Sequence, residues 1–254
     1  MAEIIAIANQ KGGVGKTTTA INLGMALSLL EKKTLVLDFD PQGNATSGFG
    51  INKRETDITI YHVLTNKASF QDALINKYTD YLYILPSSID LSGFNVEFSH
   101  YAEREYVLKS TISSIADDFD YLLVDCPPSL SLITVNALVA AHSVIIPLQC
   151  EFFSLEGISQ LLTTIDIIKR KFNCTLSIKG ILMTMHDRRT KLSYQVIDEA
   201  RRYFPKLIFR TVISRSIRLS EAPSHGKPIM LYDIKSVGSE QYLKLASEIL
   251  NGKK

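Results

Sequence analysis

Lys11-Gly12-Gly13-Val14-Gly15-Lys16-Thr17-Thr18 follows the apolar stretch Ile4 to Ala8 and runs into a helix-patterned segment, Thr17 to Leu30. Glycines at 12, 13 and 15 let the backbone turn tightly and bare its N–H groups, at a helix N-terminus whose partial positive charge favours an anion. In this pattern Lys16 reaches the β- and γ-phosphates of a nucleoside triphosphate and the Thr17 hydroxyl is a magnesium ligand, so residues 11 to 18 are the expected nucleotide-binding set. The strict phosphate-loop pattern G-x-x-x-x-G-K-[ST] asks for glycine at position 10, where this chain has Gln10. Lys11 opens the loop instead. A lysine entering from the strand side is poorly placed for its own γ-phosphate, but it can reach a nucleotide held by a second copy of the chain. The plainer reading is a glycine-rich turn beside a solvated lysine; the strand, the helix and the threonine pair around it favour phosphate.

Two further strand tips are acidic. Asp125 ends the apolar run Tyr121 to Val124 and precedes Cys126-Pro127-Pro128, whose prolines stop the strand. A carboxylate there suits Mg²⁺, held directly or through water. Asp38-Phe39-Asp40-Pro41-Gln42-Gly43-Asn44 follows the strand Thr34 to Leu37. Two carboxylates two residues apart in an extended segment face the same side, toward a metal and a terminal phosphate. An Asx-turn before Pro41 is the competing reading of Asp40.

Apolar runs of strand length recur outward from these loops: Ile4 to Ala8, Thr34 to Leu37, Tyr81 to Leu85, Tyr121 to Val124, Ser143 to Pro147 and Ile178 to Met183, with Thr211 to Ile213 as a further candidate. They are continuous rather than alternating, as strands buried on both faces are. Between them Thr17 to Leu30, Glu103 to Ala116, Leu130 to Ala140, Leu155 to Phe172, Leu192 to Tyr203 and Ser239 to Leu250 read as helices. This is the grammar of an α/β fold, a doubly wound and mostly parallel sheet flanked by helices, of the P-loop NTPase type. Ligands in such a sheet bind beyond the carboxyl ends of the strands, which is where the loops 9–16, 38–44 and 125–128 fall.

With 254 residues, 46% of them hydrophobic, the chain is expected to form one domain over residues 1–254. No apolar run approaches the ~18 residues of a membrane span, and the N-terminus goes straight into a strand, so a cytoplasmic protein is expected. Cys126, Cys150 and Cys174 are too few and too scattered for a disulfide framework or a zinc site, and are expected to be small buried hydrophobes. Net charge is +2, but it divides unevenly: residues 1–150 carry 10 Lys and Arg against 16 Asp and Glu, and residues 151–254 carry 18 against 10. The basic second part points to a polyanion, although solvated helix faces supply some of that excess.

The loop with its early lysine resembles the deviant Walker A motif of the ParA/MinD group of dimerising ATPases. DFDPQGNATSG (38–48), DYLLVDCPPS (120–129), PLQCEFFSLEG (147–157) and RLSEAPSHGKP (218–228) extend the likeness over nearly the whole chain, toward the short chromosomal ParA subgroup often called Soj. The resemblance implies ATP and Mg²⁺ as ligands and a homodimer when ATP is bound, with Lys11 acting across the interface. It implies Lys11, Lys16 and Asp40 as the catalytic set, Asp40 positioning the attacking water. Thr17 and Asp125 fall on the metal, with Asp38 on the metal side or structural. One stretch departs: where relatives commonly read Pro-Arg-Asn, this chain has Ser214-Arg215-Ser216, next to the expected base site.

Arg189 matches an arginine with which family members bind DNA without sequence preference, and Arg218 falls in a loop that often joins the same surface. No helix-turn-helix or zinc-finger spacing is present, so contacts to phosphates and a strong salt dependence are expected. Arg201 and Arg202 read as a solvated helix face. The function implied is a nucleoid-associated partitioning ATPase stimulated by a ParB-like centromere-binding protein. Three alternatives remain at this point. A MinD-like membrane-associated regulator needs a lipid-binding tail, for which no segment is left after the helix ending at Leu250, so no stable membrane association is expected. A reductase resembling nitrogenase iron protein needs cluster cysteines, and Cys126 is the candidate. A DNA-coating protein without enzymatic activity needs no nucleotide dependence.

Overall fold

Along each central strand, successive side chains enter different cores. Ile4, Ala6 and Ala8 lie in one buried cluster and Ile5 and Ile7 in the other; Leu35 and Leu37 oppose Val36, and Leu122 and Val124 oppose Leu123 in the same way. The period-two geometry of a strand, with both faces covered, accounts for the continuous apolar runs.

The computed structural model describes residues 2–151 and 154–252. Seven strands, β1 (Glu3–Ile7), β2 (Thr34–Asp38), β3 (Ile75–Asn76), β4 (Leu82–Leu85), β5 (Tyr121–Asp125), β6 (Ser143–Gln149) and β7 (Ser177–Thr184), form one sheet in the order β3-β4-β2-β5-β1-β6-β7. All its pairings are parallel except β3 with β4. This is the expected P-loop NTPase sheet with an antiparallel edge added. The long helices are α1 (Lys16–Leu29), α2 (Leu132–Ala140), α3 (Ser154–Lys171), α4 (Lys191–Tyr203) and α5 (Val237–Leu250). α1 and α5 contribute to one core and α2, α3 and α4 to the other. Close packing of α1 depends on Gly24, where an added Cβ would meet Val36 Cγ2 at 2.4 Å.

Two expected elements differ. Thr211 to Ile213 is not a strand: isolated bridges flank it, Ile208 with Ile181 of β7 and Ser214 with His186 just beyond β7. Between them the N–H groups of Arg210 and Thr211 donate to the Glu248 carboxylate, at 2.8 and 3.0 Å, which draws the chain off the ladder. The helix expected over Glu103 to Ala116 is only Val107–Ile112, followed by a short 3₁₀ turn at Ala116–Asp118. Asn136 on α2 takes the Leu108 N–H on its Oδ1 and donates to the Arg104 carbonyl, fixing a non-helical entry. Cys126 and Cys150 are buried as expected, but Cys174 is exposed. Phe152 and Phe153 of the 147–157 motif, and Lys253 and Lys254 beyond the last helix, lie outside the described residues. Among the described residues no helix is long and apolar enough to cross a membrane.

Candidate nucleotide site and basic cavity

Register brings the acidic tips together. Asp38 is the Cα partner of Asp125 across β2 and β5, and Asp125 is in turn the partner of Ile7, the last residue of β1 before the glycine-rich loop. Gly12, Gly13, Gly15, Lys16, Thr17, Thr18 and Asp40 line one cavity of about 270 Å³, closed by Asn44, Pro128 and Met185. Val14, by contrast, is buried. Gly13 and Gly15 take positive φ, 73° and 92°, the left-handed region that favours glycine.

The loop is braced from strands remote in sequence. Gln149 donates to the Gly13 carbonyl at 2.9 Å, Thr184 to the Val14 carbonyl at 2.9 Å, and Asn9 to the Pro147 carbonyl at 2.7 Å while accepting from the Lys11 N–H. Lys16 is buried and its ammonium donates to the Lys11 carbonyl at 3.0 Å. Burial pushes that ammonium below its ordinary value, against the pull of Asp125 and Asp40. Lys11 reaches the other way and pairs with Glu151 at 3.2 Å.

The three aspartates have different surroundings. Asp38 accepts from Thr46 N and Thr46 Oγ1, both at 2.7 Å, and from the Asp40 N–H at 3.2 Å, so both its oxygens are engaged within the loop. Asp40 accepts from the Gln42 N–H at 2.9 Å, an Asx-turn, and still lines the cavity. Asp125 is fully buried and neither carboxylate oxygen has a hydrogen-bond partner among the described residues. Burial first and the neighbouring Asp38 second push Asp125 well above the usual carboxylate range, while the Thr17 hydroxyl and the Lys16 ammonium act in the opposite direction. Asp38 is raised to about 6, again chiefly by burial. Two buried carboxylates at adjacent strand tips, one with both oxygens orphaned beside a threonine hydroxyl, fit a hard divalent cation.

A larger cavity of about 670 Å³ adjoins the first, sharing Gly15, Thr18 and Met185 with it, and its far wall is formed by residues 213–217 and 219–221 with Pro223, Ser224 and Tyr242. It holds the departing Ser214–Ser216 stretch. Ser214 makes a reciprocal pair with Gln241, through its N–H at 2.9 Å and its hydroxyl at 2.9 Å. A proline at 214 has no N–H for the first of these bonds.

Arg189 and Arg218, expected on one surface, line a third cavity of about 650 Å³. Arg189 is held by Asp187 through two bonds, at 2.8 and 3.0 Å, and Arg218 pairs with Glu221 at 3.4 Å and Asp233 at 3.8 Å. Arg201 lies near Asp198 on the exposed face of α4, as a solvated face does. Cys126 is buried and its thiol faces the Val124 carbonyl; burial pushes the thiol far up. Thr184 and Tyr242 lie in no quoted motif, and Thr46 and Gln149, although they fall within the 38–48 and 147–157 motifs, were not singled out as site residues.

A family model described as an AAA domain matches residues 2–178. The chain is 49% identical over 249 residues to the sporulation initiation inhibitor protein Soj of Bacillus subtilis (strain 168), covering 98% of each. It is 50% identical over 250 residues to the chromosome partitioning protein ParA of Myxococcus xanthus (strain DK1622), covering 98% of this chain and 88% of that one. Among solved structures, cobyrinic acid a,c-diamide synthase from Mycobacterium smegmatis with bound ADP and magnesium matches with a TM-score of 0.87 and 35% identity, over 99% of this chain and 95% of that one. With the glycine-rich loop, the acidic strand tips and near-full-length identity in agreement, the chain belongs to the Soj/ParA family of chromosome partitioning ATPases.

Proposed function

We propose that the chain acts as one ATPase domain over residues 1–254. It dimerises with ATP, binds DNA without sequence preference, and is stimulated by a ParB-like centromere-binding protein to hydrolyse ATP to ADP and phosphate during chromosome or plasmid segregation. The observation that carries this reading is the junction of β1, β2 and β5, where Lys16, Thr17 and Asp40 line a glycine-rich cavity and the orphaned, buried Asp125 carboxylate lies behind it beside Lys16 and Thr17. ATP with Mg²⁺ suits it, and the diamide synthase that matches in fold was solved with ADP and magnesium.

In this reading the loop N–H groups and Lys16 hold the phosphates, and Thr17 with Asp125 holds the ion. Bound Mg²⁺ neutralises charge on the phosphate oxygens. Asp38, engaged by Thr46 and Asp40, anchors the loop that presents Asp40, and Asp40 orients water toward the terminal phosphoryl group. Lys11 of a second copy completes the charge at that group. Phosphoryl transfer depends on positioning and charge neutralisation more than on covalent chemistry, so this kit suffices for slow hydrolysis. Two subunits double the basic surface around Arg189 and Arg218, so dimerisation switches DNA affinity through avidity. The protein then works in the cytoplasm, on the nucleoid.

The test is ATP hydrolysis measured alone, with DNA, with a ParB-like protein, and with both. A weak basal rate raised by the two together is expected. A rate indifferent to both overturns the partitioning reading.

A further inference from the structure

The cavity that gathers Arg189 and Arg218 holds more than those two cations. Arg188, Arg215 and Lys235 line it as well, from the loop after β7, the loop before Arg218 and the loop before α5. Arg189 and Arg218 are already engaged with Asp187, Glu221 and Asp233. Arg188, Arg215 and Lys235 enter no ion pair among the described residues. Arg215 reaches Asp187, and Arg188 reaches Glu240, only through space. The cavity therefore keeps unpaired positive charge.

His186 lines the same cavity. The residue is 8% exposed; its ring stands edge-on to Tyr194 with centroids 4.8 Å apart, and Nε2 is buried without a hydrogen-bond partner among the described residues. An orphaned buried polar atom is unfavourable by about 1–3 kcal/mol, and an oxyanion in the cavity would give it a partner. Asp187 and Arg188 act on this imidazole from its own loop, Arg215, Arg218, Asp233 and Lys235 line the same cavity, and the Tyr194 ring packs on it from α4. Burial first, and Arg188 second, push the imidazole below its ordinary value, so the free protein holds it neutral near pH 7. A phosphate group reverses the balance by offering the protonated ring a charge-assisted bond.

We propose that a backbone phosphate of bound DNA seats in this cavity on Arg188, Arg215 and Lys235, with the protonated His186 as its inner donor, so that DNA retention strengthens as pH falls. The proposal rests on the DNA-binding reading above. It adds a seat formed by the cations left unpaired around Arg189 and Arg218, and a proton to the binding equilibrium.

The experiment measures fluorescence anisotropy of a labelled duplex of arbitrary sequence with the full chain loaded with a non-hydrolysable ATP analogue and magnesium, at pH 7.5 and 6.0, across a salt titration. Wild type should bind about fivefold tighter at pH 6.0 than at 7.5, and His186→Gln should lose most of that gain. Lys235→Ala should flatten the slope of log affinity against log salt by about 0.9, the loss of one phosphate contact. His186→Phe, which keeps a ring against Tyr194, serves as the second variant, and circular dichroism melts establish that each variant is folded. A His186→Gln or His186→Phe protein that retains the full pH gain, or a Lys235→Ala protein with an unchanged slope, overturns the seat while leaving the DNA reading intact. A wild type that holds no DNA at either pH overturns both.

Discussion

The Lys11 ammonium lies 3.2 Å from the Glu151 carboxylate, joining the first cation of the phosphate loop to the residue just past β6. The backbone of Lys11 is fixed, its N–H on Asn9 Oδ1 and its carbonyl under Lys16 Nζ, so only the side chain is free to change partner. Both members of the pair are about half exposed, at 44% and 53%. Exposed pairs contribute about 0–1 kcal/mol, so Glu151 is a weak holder. Glu151→Gln should leave the melting temperature nearly unchanged and strengthen ATP-dependent dimerisation about two- to fivefold, read by sedimentation velocity, because Lys11 no longer has to leave a partner in its own chain. Lys11→Ala should abolish the dimer. A weaker dimer in Glu151→Gln would place Glu151 in the interface instead.

Asp38 and Asp125, register partners buried side by side, are both pushed up from the ordinary carboxylate range, Asp38 to about 6. A carboxyl raised in the folded state keeps its proton at a pH where the unfolded chain has released it. Its contribution to stability is therefore highest at low pH and falls as the pH rises from about 4, the unfolded value, through about 6 for Asp38. Urea denaturation in EDTA should show wild type losing about 1–3 kcal/mol over that window relative to Asp38→Asn. Magnesium with an ATP analogue should remove most of the loss, since a bound cation replaces the protons. Asp125→Asn should raise metal-free stability at pH 7 and abolish the magnesium dependence of nucleotide affinity. An unchanged magnesium dependence would exclude Asp125 as a ligand.

The parts of the site legible in the sequence were those that lie next to one another in it. Lys11 to Thr18, Asp38 to Asn44 and Asp125 to Pro128 each follow an apolar strand, and a parallel sheet brings strand ends to one edge whatever the intervening chain does. Gln149, Thr184 and Tyr242 act on the loop from 130 or more residues away, through bonds that no local pattern encodes. The short helices at Asn44–Gly48, Ile60–Leu64 and Phe70–Ala73 are too brief to show a period, and β3 has only two residues. The Thr211 to Ile213 strand failed for a different reason: the competing acceptor, Glu248, is on α5.

Gly226, in the 218–228 motif, touches Gly50 backbone to backbone. A Cβ at Gly226 would meet Gly50 Cα at 2.5 Å, and its φ of 62° is strained for any other residue. The Tyr78 hydroxyl is shared between the Phe49 and Gly226 carbonyls and fastens the two segments. This contact holds the wall of the larger cavity against the helix that follows Asp40. Gly226→Ala should cost about 2–3 kcal/mol in urea denaturation, a value set by backbone overlap together with positive φ. Gly252→Ala serves as the control, since it also has positive φ, at 69°, but meets nothing within 4 Å. It should cost about 1 kcal/mol or less. Equal losses in the two would mean that backbone conformation, and not the contact with Gly50, sets the requirement at 226.

Tyr242, on α5, is the largest fully buried side chain among the described residues, and its hydroxyl lies 3.3 Å from Thr19 Oγ1. Thr19 has one hydroxyl proton and donates it to the Gly15 carbonyl at 2.7 Å, so Tyr242 is the donor in its pair with Thr19. The chain of bonds runs from Tyr242 through Thr19 to the carbonyl of Gly15, the residue with φ of 92° that turns the loop into α1. Tyr242→Phe keeps the ring volume and removes only the first donor, at a cost of about 1 kcal/mol. Because the lost bond supports the loop and touches no reacting atom, nucleotide affinity should weaken about threefold while the rate at saturating ATP stays unchanged. Thr19→Val, which breaks the bond nearer the loop, should weaken affinity further, and Thr19→Ser should restore it. Isothermal titration with ADP and magnesium, beside steady-state hydrolysis, separates the two quantities. A fall in the saturated rate with affinity intact would mean that the tyrosine acts on the hydrolytic step and not on the shape of the loop.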